Sequence, residues 1–528
     1  MWQRGWRDQV WDQLNRPWDL IVIGGGITGA GILREAARAG LRTLLVEGHD
    51  FSSGTSSRSS KMVHGGLRYL KNGQIKLTLE SVRERERLLR EARGLVSSVG
   101  QLMVSFPEDN TPLRVFGVGL ILYDLLAFKW GHRRYSPAGL KALCPPLTGP
   151  GLVGGYRYFD GQADDSRLVL RLIQEAVRDG GTALNYARVE SLLRQGSALV
   201  SGVALRDLAP GSGGRSAEVH APVVISATGA WADDLRAQVG APRRLRKLRG
   251  SHLVFQPSKL PLTRTVCMIH PEDGRPVFAF PWEGVVLAGT TDVDHGQEMQ
   301  TDLAIQPTEV DYILASLERT FPDLKLTTKD VQATFAGIRS VVDTGKADPS
   351  KESREYVLWQ EEGLLTVTGG KLTTFRLMAH DALRMVRSRL PGQPVFDPRK
   401  RVFDLPPADS ELRGDYDPAT RSRLAGRYAA DAPALTAAAQ PGELTPIDGG
   451  PSLWAELRWT ARVEGVVHLD DLLLRRVRLG LTAPQGGLPL LDPIRAIVQP
   501  ELGWDDARWQ QEAEDYARLW KRCYSLAG

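Results

Sequence analysis

One short run of this chain crowds reactive side chains among small ones: Gly54-Thr-Ser-Ser-Arg-Ser-Ser-Lys61-Met-Val-His64-Gly65-Gly66-Leu-Arg68-Tyr69. Hydroxyls, one lysine, one histidine and two arginines alternate with glycines. Such a lining suits an aromatic redox ring, which needs small residues against its face and donors at its edge and phosphates. A flexible Ser/Gly loop has the same composition, and His64 also reads as a structural hydrogen-bonder. Arg68, Arg339 (in Phe335-Ala-Gly-Ile-Arg339-Ser) and Arg354 (in Glu352-Ser-Arg354-Glu) stand at strand or turn junctions. Singly each reads as a surface or salt-bridged residue. Together their planar forks form a clamp for phosphate or carboxylate. Lys371, in Gly369-Gly370-Lys371-Leu-Thr373-Thr, lacks the Ser/Thr that a P-loop places after its lysine. The glycine pair entering a helix still offers a seat for an anion. His252 closes the basic run Arg243–Arg249 and sits before Val254-Phe255 on a strand. Its neutral imidazole is a candidate general base for an alcohol whose carbon loses hydride. The remaining histidines and the three cysteines, Cys144, Cys267 and Cys523, show no ligand spacing, so no metal site is expected.

These residues need a scaffold, and Asp19-Leu-Ile-Val-Ile-Gly24-Gly25-Gly26-Ile-Thr-Gly29 supplies its start. An apolar strand runs into G-x-G-x-x-G and then a helix, so bare backbone and a positive helix end approach a pyrophosphate. Gly31, Ala36 and Gly40 keep that helix slim, and Arg42–Glu47 reads as the next strand. Glu47 lies 18 residues past Gly29, where an acid grips a ribose hydroxyl and rejects a 2′-phosphate. The pattern suits the ADP half of FAD or NAD. A second strand and glycine turn, Val219–Thr228 followed by Gly229-Ala-Trp231, is placed to pass under the same dinucleotide.

The bulk numbers bound the class. A chain of 528 residues with 42% hydrophobic content makes two or three domains. A net charge of +5 and a pI near 9.0 suit anionic substrates or a negative lipid surface and fall well short of a nucleic-acid signature. Unpaired cysteines point to a reducing compartment. No signal peptide is seen, and the longest apolar stretch, Val115–Phe128, falls short of a bilayer span. A soluble or peripheral protein is expected. Residues 2–16 predict a short helix with Trp2, Trp6, Val10 and Leu14 on one face, which packs on its own domain or lies in a membrane interface. Sheet-forming blocks then interleave with helices. The expected class is α/β: a Rossmann-type nucleotide-binding domain from 17–95, 151–234 and 335–395, with an inserted antiparallel-sheet substrate domain from 96–150 and 235–334. After a proline-rich linker, 400–528 reads as an all-α domain.

Taken together, Ile23–Gly31, Thr55–Tyr69, Ala288-Gly-Thr-Thr-Asp292, Gly337-Ile-Arg339 and Gly369–Thr374 resemble the FAD-dependent glycerol-3-phosphate dehydrogenase family within the D-amino-acid-oxidase-like flavoproteins. Asp470–Gly480 is similar to that family's helical C-terminal domain. The resemblance implies FAD, oxidation of sn-glycerol 3-phosphate to dihydroxyacetone phosphate, and electron delivery to a membrane quinone from the inner face of the cell membrane. It implies that Arg68, Tyr69, Arg339 and Arg354 hold substrate, with His252, Arg339 and Lys371 catalytic. Gly24, Gly26, Gly29, Glu47, Ser56, Ser57, Ser60, Lys61, His64, Gly229, Gly370, Lys371 and Thr373 then line the cofactor. Peripheral membrane contact and a homodimer stay open, as do a glycerol-3-phosphate oxidase using oxygen, an amine or amino-acid oxidase, and a flavin-binding scaffold. The chain departs from the family with Arg339-Ser-Val for Arg-Pro-Leu and Gly229-Ala-Trp for Gly-Pro-Trp.

Overall fold

Leu20–Ile23 is wholly apolar and buried on both faces, as a strand must be when it lies inside a parallel sheet. In the computed structural model, which describes residues 2–67, 74–109, 112–127, 130–194, 196, 199–348 and 352–526, it pairs in parallel with two neighbours. Ile21 lies opposite Leu44 on one side and Val224 on the other. The full sheet runs Tyr356–Glu361, Leu364–Gly369, Val224–Ser226, Leu20–Ile23, Thr43–Val46, Thr182–Leu184. Only its first strand is antiparallel. The connections leave Leu20–Ile23 in opposite directions, so a crevice opens at the carboxyl ends of the strands there. Helices Ile27–Arg38, Asp165–Arg178 and Phe375–Met385 cover the sheet. Close packing needs Gly31, since a Cβ there would stand 2.8 Å from the Phe375 ring.

The expected single strand Val219–Thr228 is two. Ser216–His220 joins Val200–Asp207 and Ala187–Arg194 in a three-stranded antiparallel sheet, and Val224–Ser226 enters the parallel sheet. Pro222, with no N–H to donate, marks the change of sheet.

A third, ten-stranded sheet is antiparallel except where Thr265–Ile269 meets Val96–Ser105. It includes Gly154–Ala163, which pairs along Val96–Ser105, and Val331–Val342, which pairs along Leu245–Phe255. The boundaries drawn at 151 and 335 therefore differ from the strand pairing, which puts both strands in the substrate-side sheet. Their partners are far away in the chain, and alternation along a strand carries no record of its partner.

Beyond the linker the fold is helical, with Pro418–Tyr428, Trp454–Val463, Leu491–Leu502 and Asp506–Cys523. This region meets the nucleotide-binding part through buried ion pairs. Arg167 holds Glu464 at 2.6 Å, and Asp50 takes both Arg475 and Arg476 at 2.6 Å. Asp164 takes Arg427. Burial pushes the Asp50 carboxyl up, yet the two guanidiniums override it and hold it down at about 2.

The amino-terminal segment is consumed by its own fold. Its helix is Trp6–Asp12, Trp2 stacks on Phe51 at 5.4 Å, and Trp2, Trp11, Leu14 and Trp18 are buried. Among the described residues no helix is long and apolar enough to cross a membrane.

Removing one member of a sealed pair strands the other charge without solvent. Glu464→Ala is expected to cost about 3–5 kcal/mol, read as a lower melting temperature. An unchanged melting temperature would mean that water reaches Arg167.

Candidate active site

The crevice is built first from absent side chains. Gly24 takes φ +110°, and a Cβ there would lie 2.6 Å from the Ala227 carbonyl oxygen. A Cβ on Gly29 would lie 1.9 Å from the Gly24 carbonyl oxygen. The helix that begins at Ile27 has Gly26 as its cap and no side-chain cap of its own. Ser56 Oγ accepts the Ile27 N–H at 2.9 Å, which places that hydroxyl at the helix mouth. Glu47, at the end of the second strand, accepts the Gly25 N–H at 2.7 Å and the His49 N–H at 2.8 Å. Burial raises its pKa against those two bonds. A helix N-terminus with open amides, a glycine floor and an acid at the next strand end match the phosphates and ribose of an ADP moiety.

The second wall comes from strand ends further along the chain. Gly229 (φ +56°) opens a turn after Val224–Ser226, and its carbonyl accepts Thr368 Oγ1 at 3.2 Å. Gly370 (φ +72°) leaves no room for a Cβ, which would lie 2.6 Å from Met378 Sδ. Lys371 follows, its ammonium donating to Ser81 Oγ at 2.7 Å, and Thr373 Oγ1 reaches the His64 carbonyl at 3.4 Å. Burial, then repulsion from Arg354, pulls Lys371 down to about 7. His64 is held at about 3 by burial and by Lys371, Arg354, Arg85 and Arg339. The strands thus bring His64, Lys371, Arg339 and Arg354 into one cationic field.

At its centre is a carboxylate. Asp292 receives Arg339 Nη1 at 2.7 Å and Arg354 Nη2 at 2.8 Å, while Arg275 Nη2 lies 3.6 Å away. The Asp292 side chain is 1% exposed, whereas Arg339 keeps 26% and Arg354 19%. The forks are therefore fixed from behind and open in front. Asp292 appears in the sequence as the last residue of Ala288-Gly-Thr-Thr-Asp292 without a role. Arg275 belongs to no such motif. Arg68 and Tyr69 lie outside the described residues.

His252 sits in Leu245–Phe255 opposite Gly289 and Phe335. Its ring stacks on Phe335 with centroids 4.6 Å apart and planes 8° from parallel. Gly289 must be bare, because a Cβ there would meet the imidazole at 2.5 Å. Nε2 shares a hydrogen bond of 2.9 Å with Ser60 Oγ, and Nδ1 is buried with no hydrogen-bond partner among the described residues. Burial, then Lys61 and Arg339, keep the ring neutral far below its ordinary pKa. Two expected cofactor-lining residues are turned elsewhere. The Lys61 ammonium is sealed against Asp165 at 2.8 Å and the Ser57 carbonyl at 2.6 Å, because its own left-handed backbone (φ +58°) aims the side chain inward. Ser57 is buried, with its hydroxyl 3.5 Å from the Gly54 carbonyl. Among the described residues no cluster is suited to a metal ion.

The chain matches the family described as FAD dependent oxidoreductase over residues 19–376 and that described as C-terminal domain of alpha-glycerophosphate oxidase over 387–509. Aerobic glycerol-3-phosphate dehydrogenase of Bacillus subtilis (strain 168) is 37% identical over 402 residues, covering 74% of this chain and 70% of the relative. Glycerol-3-phosphate dehydrogenase 2 of Mycobacterium tuberculosis (strain ATCC 25618 / H37Rv) is 32% identical over 532 residues, covering 97% and 89%. The solved glycerol-3-phosphate dehydrogenase from Bacillus halodurans complexed with FAD superposes with a TM-score of 0.80 at 26% identity, covering 99% of this chain and 98% of that one. L-alpha-glycerophosphate oxidase from Mycoplasma pneumoniae shares the fold, with a TM-score of 0.58 at 19% identity over 74% and 98%.

The crevice gives a direct test. Gly29→Ala is expected to leave the protein folded but without bound dinucleotide, since the loop has no space to give. Full dinucleotide content in the purified variant would contradict the cradle.

Proposed function

The chain belongs to the FAD-dependent oxidoreductase family with an alpha-glycerophosphate-oxidase C-terminal domain, and on that premise we propose that it oxidises sn-glycerol 3-phosphate to dihydroxyacetone phosphate and hands the electrons to a membrane quinone. The observation that carries this reading is the shared carboxylate of the arginine clamp. Arg339 and Arg354 share the one carboxylate of Asp292, and Arg275 is divided between Asp292 and Asp273, so the planar forks present a cationic face suited to a phosphate. Phosphate binding energy spent on Arg339 and Arg354 orients the C2 carbon, so the chemical step begins from an aligned pair. FAD, when bound, supplies the two-electron acceptor. Gly24, Gly26, Gly29, Glu47 and Ser56 would hold its ADP half, with Gly229, Gly370, Lys371 and Thr373 along the other wall. His252, kept neutral, accepts the hydroxyl proton as the C2 hydrogen leaves. His64 is a second neutral imidazole in the same field, and replacing the two separately assigns the proton.

Membrane delivery is supported by a surface that the substrate-side sheet carries. The Leu113–Ala127 helix exposes Val118 at 69%, Leu125 at 59% and Val115 at 53%, with Ile121 and Leu122 beside them. Ile75 and Phe159, on elements packed against it, are also exposed. Arg114, Arg133 and Arg134 are exposed at its margin. An apolar face with a cationic rim suits the interface of an anionic leaflet. All three cysteines are free and buried, in accord with the reducing, cytoplasmic side.

Glycerol 3-phosphate added without air is expected to bleach the flavin of the purified protein. Arg339→Ala should cost about 3 kcal/mol, on the order of a hundredfold in kcat/KM, with flavin content intact. Undiminished kcat/KM would remove the clamp from the reaction. Val118→Asp with Leu125→Asp should abolish co-sedimentation with anionic vesicles while anaerobic bleaching persists. Continued sedimentation would place the docking face elsewhere.

A further inference from the structure

Among the described residues, two side chains of the C-terminal domain reach the loop beside His252: the Tyr524 hydroxyl, which accepts Arg58 Nη2 at 2.9 Å, and Arg478. Arg478 lies just after the helical turn Asp471–Arg476 and adopts a left-handed backbone (φ +69°) while 1% exposed. A non-glycine residue holds such a conformation only where its surroundings over-determine it. Its Nη2 donates to the Ser57 carbonyl and to Asp165 Oδ1, both at 3.0 Å, and Nη1 donates to the Leu474 carbonyl at 2.8 Å.

Asp165 is the knot of the loop. It accepts the Ser59 N–H at 3.0 Å, the Ser59 hydroxyl at 2.8 Å and Lys61 Nζ at 2.8 Å, besides Arg478. Lys61 is also left-handed and wholly buried, and its ammonium stands 4.8 Å from the centre of the Phe335 ring, on which the His252 imidazole stacks. Between Ser59 and Lys61 lies Ser60, whose Oγ meets His252 Nε2. Two cations from two domains therefore converge on one carboxylate, and that carboxylate holds both flanks of the serine that touches the imidazole. Mere attachment of the domain does not require this. Arg475 and Arg476 on Asp50, Arg427 on Asp164, and Arg167 on Glu464 already staple the interface, and none of them touches residues 57–61.

We infer that Arg478 is a positioning residue for the oxidation, acting through Asp165 and Lys61 to fix Ser60 against His252. Among the described residues the bond to Ser60 is the one hydrogen bond of a ring whose Nδ1 is buried, so the serine sets how the imidazole presents Nε2. The C-terminal domain is in this sense part of the reaction site. The inference rests on His252 as proton acceptor.

The test is a double-mutant cycle on the flavin-loaded full chain, following anaerobic flavin reduction by glycerol 3-phosphate. Arg478→Gln should lower the reduction rate about tenfold, with KM within twofold and flavin per chain unchanged. In a His252→Asn background the same change should alter the rate less than twofold, because the ring it orients is gone. Arg478→Lys, which keeps the charge but not the fork, should fall between. Ser60→Ala, at the loop surface, should reproduce the loss even where Arg478 variants fail to accumulate. A tenfold loss carried undiminished into the His252→Asn background, or a fully active Ser60→Ala, would overturn the inference alone. A fully active His252→Asn variant would remove the proton-acceptor reading beneath it.

Discussion

Like charges repel, and this site gathers four of them: Arg339, Arg354, Arg275 and Lys371. Two unit charges 4 Å apart cost about 4 kcal/mol at the effective dielectric of a protein surface, so the cluster cannot fold without a counter-charge. Asp292 is the counter-charge sunk behind Arg339 and Arg354, while Asp273 shares Arg275 and Glu80 and Glu355 act on Lys371. The position of Asp292 also explains why two sheets meet there. Arg339 comes from Val331–Val342 of the ten-stranded sheet, whereas Lys371 follows Leu364–Gly369 of the parallel sheet and Arg354 precedes its edge strand. The clamp is thus a junction between layers, and the anion it attracts sits between the nucleotide crevice and the substrate-side sheet.

What the sequence disclosed was the part whose physics is local. Gly24, Gly26 and Gly29 are legible because strand, bare turn and helix follow one another within a dozen residues, and Glu47 because the next strand returns at a fixed distance. The arginines read as a set from their places at strand or turn junctions, and in the structure Arg339 and Arg354 both pair with Asp292. Lys61 illustrates the opposite case. Its neighbours in sequence suggest a cofactor wall, but its direction is decided by a left-handed backbone and by Asp165, 104 residues later. Asp292 was visible only as a letter in a motif, since its partners are set by strand pairing. The strand pairing that crosses the boundaries at 151 and 335 was hidden for the same reason. The amphipathic face of the amino-terminal helix was readable, whereas the surface it meets was not, because Phe51 and Glu464 come from distant segments.

The join between the helical domain and the nucleotide-binding part is ionic at its heart. Sealed charge pairs add little net stability compared with apolar packing of the same shape, but a mismatch strands a charge and is heavily penalised. An interface of this kind tolerates one docking geometry. That property suits a domain whose Arg478 reaches the Ser57 carbonyl, in the loop whose Ser60 meets an imidazole.

The parallel sheet has a kinetic consequence. Its central strand, Leu20–Ile23, leaves the ribosome early, yet one neighbour, Val224–Ser226, is made some 200 residues later, and Leu364–Gly369 later still. At about 5–20 residues per second of synthesis, the first strand waits on the order of ten seconds or more with an apolar edge unpaired. Non-local pairing of this kind also slows the search for the native arrangement. Newly made chains are therefore exposed to edge-to-edge association during translation, and yield in a cell will depend on chaperone supply and growth temperature more than on the stability of the finished molecule.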